Sequence, residues 1–116
     1  MTLLFLSKID DLSKKLGIRS SLVILPQFYD VMNNHFEVLH NKIERTAKKK
    51  GHYALDLLPC FKGRESEELI VSRIDTHPNV LAHSMMAENI YNFLVENNLI
   101  KKENVINAQH NVVDGI

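Results

Sequence analysis

Leu3, Leu6, Ile9, Leu12 and Leu16 recur at helical spacing, and Gly17 follows them as a stop signal. Residues 22 to 25, Leu-Val-Ile-Leu, are apolar on both faces and end at Pro26, the pattern of a short buried parallel strand. Phe28, Met32, Phe36, Leu39, Ile43 and Ala47 mark one face of a long helix that stops at Gly51. Tyr53 to Leu58 forms a second short strand, closed by Pro59. Residues 60 to 74 form a loop with one helical turn around Glu65 to Ile70. Asn79 is a good N-cap for a final helix, whose inner face carries His83, Ala87, Ile90 and Leu94, widened by Met86 and Phe93. Residues 101 to 116 are polar and weakly patterned and are expected to be a tail.

The order is helix, strand, helix, strand, loop, helix. Such alternation implies an α/β fold with parallel strands and right-handed crossovers. Two parallel strands cover few of each other's backbone groups, and the first strand is apolar on both sides. Its outer edge therefore needs a partner: a second copy, another chain, or an N-terminal segment outside these residues. Self-association through that edge is the expectation.

At 116 residues the chain is one domain at most, residues 1 to 100 with the tail at 101 to 116. Formal net charge is zero, so no electrostatic case exists for nucleic acid. The basic run Lys48-Lys49-Lys50 ends a helix, where cations complement the helix dipole. The single cysteine, Cys60, excludes an intrachain disulfide and reads as a packed small hydrophobe. No apolar run approaches the roughly 20 residues that span a bilayer. Met1 to Leu6 has neither the length nor the flanks of a signal peptide, which makes the cytoplasm the default compartment.

The candidate chemistry lies in Asp75-Thr76-His77-Pro78-Asn79, where a loop turns into the last helix. The stretch from Tyr53 to Leu94 resembles the C-terminal part of the SGNH (GDSL-type) hydrolases. The resemblance is carried by Asp56-Leu57-Leu58-Pro59, then Asp75, His77, Pro78 and Asn79, then Ala82-His83, and then Ala87, Ile90 and Leu94. Leu22-Val23-Ile24-Leu25-Pro26 looks like the family's fourth strand. The resemblance implies a flavodoxin-like three-layer α/β/α sandwich, of which this chain holds the last two strands and three helices. It further implies that His77 is the general base for a serine nucleophile, with Asp75 as its orienting carboxylate. Pro78 would stiffen the loop, Asn79 would cap the helix, and His83 would be a packed structural histidine.

Two departures qualify the match. The family's Gly-Asp-Ser nucleophile, oxyanion glycine and Gly-x-Asn-Asp blocks do not occur here. Asp usually precedes His by three positions, whereas Asp75 precedes His77 by two, a spacing found in relatives that acetylate polysaccharides. The expected function is therefore the His-Asp half of an ester hydrolase or acyltransferase. The alternative is a non-catalytic half-domain that serves as an oligomerisation or partner-binding module. No cofactor is implied. His77, His83 and Asp75 match no standard zinc spacing, so no metal is expected. His35, His40, His52 and His110 have no evident partners in the sequence and are expected to be solvated.

Overall fold

A computed structural model of the chain describes residues 2–33 and 35–102. Its elements are α1 (Thr2–Leu16), β1 (Ser21–Ile24), α2 (Glu37–Lys49), β2 (Tyr53–Asp56), α3 (Ser66–Leu69) and α4 (Val80–Glu96), with short 3₁₀ turns at Phe28–Asp30 and Leu58–Phe61. The fold is mixed α/β. The two strands pair in parallel, Ser21 with Tyr53 through Ile24 with Asp56. α2 is the crossover between them and packs mainly on β2.

The two faces of the sheet are covered differently. On one face, Val23 and Leu55 support the main core of Phe28, Val31, Leu57, Leu58, Phe61, Leu69, Ile70, Ala82 and Met86. Phe28 and Phe61 meet edge to face, with centroids 5.2 Å apart and planes at 79°, a geometry that aligns ring edge with ring face. The other face holds Ala54 and, from α2, Ala47, both buried. Small side chains there let helix and strand approach closely.

The long helix expected from Phe28 onward is shorter than its apolar pattern. It begins only at Glu37, because the Asp30 carboxylate gathers local bonds: Asn33 Nδ2 donates to it at 2.7 Å and His35 Nδ1 lies 2.5 Å away. Side chains that bond locally compete with helix propagation. Phe28 and Val31 enter the core while Met32 and Phe36 stay exposed. β2 likewise ends two residues early. Asp56 Oδ1 accepts from the Leu58 N–H at 3.0 Å, and Pro59 sits where the chain turns into a 3₁₀ segment.

α4 starts at its expected cap but is rotated from its expected phase. Ala82 and Met86 are buried, Met85 and Ile90 pack against the core, and His83 and Ala87 are exposed. The reason is local: Ala82 is small enough for α4 to lie directly against α3, which turns the neighbouring His83 outward. His83 is therefore not the packed histidine that the sequence suggests. α4 ends at Glu96, and Asn98 in the turn beyond it has a φ of 55°, the left-handed conformation that asparagine tolerates, while the Leu99 N–H donates back to the Leu94 carbonyl at 2.8 Å. The expected tail lies outside the described residues from 103 onward.

Candidate functional site

The loop that carries His77 is a small antiparallel hairpin. Ile70 bridges Pro78. The Val71 N–H donates to the His77 carbonyl at 3.0 Å, and the Ser72 N–H donates to the Asp75 carbonyl at 2.9 Å. Ser72 Oγ accepts from the Asp75 N–H at 3.0 Å. The base of the hairpin is fixed because Leu69 and Ile70 are buried in the core beside Leu57 and Leu58, the residues that follow β2. The loop is thus anchored at the carboxyl end of a parallel strand, where α/β sheets place their ligand sites.

Asn79 ties this hairpin to two helices. Its Oδ1 accepts from the Ala82 N–H at 3.0 Å and caps α4. Its Nδ2 donates to the Glu68 carbonyl at 2.7 Å and to the Ile70 carbonyl at 3.2 Å, and its own N–H donates to the Leu69 carbonyl at 2.8 Å. One side chain therefore satisfies an unpaired donor at the start of α4 and unpaired acceptors at the end of α3.

Above that clamp, His77 Nδ1 lies 2.6 Å from Asp75 Oδ1, which also accepts the His77 N–H at 3.2 Å. The structure thus brings the two candidate residues together despite the two-residue spacing. The His77 side chain is 87% exposed and that of Asp75 51%. Donation from the imidazole, then from the His77 backbone, holds the Asp75 carboxyl below its ordinary value. With Nδ1–H directed at the carboxylate, Nε2 is the nitrogen left to exchange a proton. The pair can accept and return a proton.

Three of the histidines expected to be solvated are bonded. His40 Nδ1 lies 2.7 Å from Asp56 Oδ1, with the two side chains 8% and 5% exposed. His52 is buried, with Nδ1 2.6 Å from Ser20 Oγ and Nε2 3.1 Å from the Leu6 carbonyl, so it joins α1 to the start of both strands. His35 pairs with Asp30 in the turn before α2. Only spacing could have exposed His40: it lies seven residues before buried Ala47, on the inner face of α2. His110 lies outside the described residues. Cys60 is half-buried; its thiol donates to the Leu57 carbonyl at 3.0 Å, and burial pushes its pKa up.

Among the described residues no cluster of three or more His, Cys, Asp or Glu is placed to hold a metal ion, and no helix is long and apolar enough to cross a membrane. Compared with family models, curated proteins and solved structures, the chain gives no match.

Proposed function

We propose that this chain supplies the general base of an SGNH-type ester hydrolase or acyltransferase, in a flavodoxin-like three-layer sandwich whose remaining strands lie outside the described residues. The observation that carries the reading is the 2.6 Å contact of His77 Nδ1 with Asp75, on an exposed loop rooted in the core. In this role a serine hydroxyl attacks the ester carbonyl while His77 Nε2 takes its proton. The alkoxide leaving group then departs with that proton as the alcohol, and water repeats the sequence to free the acid. Asp75 fixes the imidazole tautomer and stabilises the transient imidazolium. Asn79 acts through position: it locks the loop between α3 and α4, so that His77 is presented from a fixed base.

The chain as described lacks the serine and oxyanion donors and is expected to be inert by itself. The nucleotide sequence upstream of the Met1 codon tests the proposal. An in-frame Gly-Asp-Ser segment, followed by the oxyanion blocks, is the expected finding. An upstream frame without that segment would overturn the proposal.

A further inference from the structure

We propose that Ser20 is a nucleophile activated by His52, a site that takes one acyl group from a short activated ester and holds it. The strand register brings the two residues together. Ser21 pairs with Tyr53 at the start of the parallel ladder, so Ser20 and His52, one step earlier, stand side by side. The Tyr53 N–H donates to the Ser20 carbonyl at 3.4 Å, and the His52 N–H donates to the Ala47 carbonyl at 3.1 Å. Gly51, with a φ of 88°, makes the left-handed turn that carries the chain from α2 to His52.

The hydrogen bonds fix the direction in which a proton moves. The Leu6 carbonyl lies 3.1 Å from His52 Nε2 and can only accept, so Nε2 carries the ring hydrogen. Nδ1 of the neutral imidazole is then an acceptor, and the Ser20 hydroxyl, 2.6 Å away, donates to it. A serine bonded to a base whose other nitrogen is oriented by a third group has the arrangement of an activated nucleophile. Here a backbone carbonyl of α1 takes the orienting place. Ser20 is half-buried and within reach of a ligand, whereas His52 is buried.

Ser20 lines a cleft of about 340 Å³ between the start of β1 and the turn after α4. Ile18, Leu94 and Leu99 give the cleft apolar walls, and Arg19 gives it a cation. Arg19 is tied across it because Nη1 donates to the Asn98 carbonyl at 2.8 Å, which leaves other guanidinium N–H groups for a ligand. This lining suits a short apolar acyl group joined to an anionic leaving group. Ser20 Oγ attacks the acyl carbonyl while His52 Nδ1 takes the hydroxyl proton, and the bond from the carbonyl carbon to the leaving oxygen breaks. Nδ1 then returns its proton to the departing oxyanion, and an acyl-serine remains. Burial of His52 keeps water from reaching Nδ1 behind the acyl group, so the ester is held rather than hydrolysed. The site stands at the amino ends of the strands, whereas the His77 hairpin is rooted beyond the carboxyl end of β2. Ser20 is therefore not the serine that His77 requires.

The inference does not rest on the hydrolase reading, and either can fail alone. Treatment of the folded chain with p-nitrophenyl acetate, with acetylation of each serine followed by peptide mass spectrometry, tests it. Ser20 should acetylate roughly 100-fold faster than Ser84, an exposed serine on α4, because a positioned base contributes at least that much. The advantage should vanish in urea. His52→Gln should abolish it in a chain whose circular dichroism shows the helices intact. If that variant unfolds, the ring-nitrogen chemical shifts of His52 in the wild type decide, with the hydrogen expected on Nε2. Acetylation of Ser20 no faster than that of Ser84, a folded His52→Gln variant that labels at the wild-type rate, or a neutral His52 with its hydrogen on Nδ1 overturns the inference.

Discussion

Asn79 is where one side chain has most to lose. Asn79→Ala removes the α4 cap, worth about 1 kcal/mol. It also strips the donor from the Glu68 and Ile70 carbonyls, each bond contributing about 1 kcal/mol net. Water can replace the exposed Glu68 contact, so the expected loss is about 2 kcal/mol rather than the full sum of about 3 kcal/mol. Asn79→Asp separates the two roles. It keeps an acceptor for the Ala82 N–H and adds a favourable charge at a helix start, but it sets a carboxylate against carbonyl oxygens. It should lose about 1–2 kcal/mol, less than the alanine variant. Urea unfolding at fixed protein concentration measures both, with unchanged slopes showing that the unfolded states are comparable. In a thermal scan the alanine variant should melt roughly 8–12 °C lower. An Asn79→Asp chain as stable as wild type would refute the claim that the Nδ2 bonds hold α3 to α4.

Other predictions follow from the titratable pairs. Asp75 should titrate below the usual 3.8 in an NMR pH series, and His77→Ala should return most of the shift, leaving the part due to the backbone N–H. A carboxyl depressed in the fold stabilises it above the unfolded pKa near 3.8 and loses that contribution as pH falls through the lower folded value. An unchanged Asp75 titration in the variant would contradict the contact. His40→Ala should cost about 3 kcal/mol because it strands a buried carboxylate, and Asp56→Ala combined with it should cost less than the sum of the single changes. Additive losses in a denaturation cycle would mean that the two side chains do not interact.

Periodicity located α1, both strands and α4 because each has an apolar pattern that matches its own geometry and a glycine, proline or asparagine at its end. It overran α2 because Phe28 to Phe36 keeps helical spacing while Asn33 and His35 both bond to the Asp30 carboxylate instead of letting the helix propagate. The phase of α4 was not legible, since Ala82 and Ala87 are equally apolar and only contact with α3 decides which one is buried. In the candidate site, the Asp75–His77 contact and the Asn79 cap were readable from a contiguous segment. The Asn79 bonds to α3 and the His40–Asp56 pair were not, because each joins residues that only the tertiary fold brings together.

In the proposed function His77 moves the proton of an esterolytic serine. Its most direct test is the hydrolysis rate of a short-chain p-nitrophenyl ester by this chain together with the serine-bearing segment that the proposal requires, with His77→Ala beside His83→Ala as a control on an exposed histidine of the same region. Loss of the base from such a site lowers turnover by about 10⁶-fold. That loss is expected for His77→Ala, with near wild-type turnover for His83→Ala; equal turnover in the His77→Ala variant and the wild type would contradict the proposed role of His77.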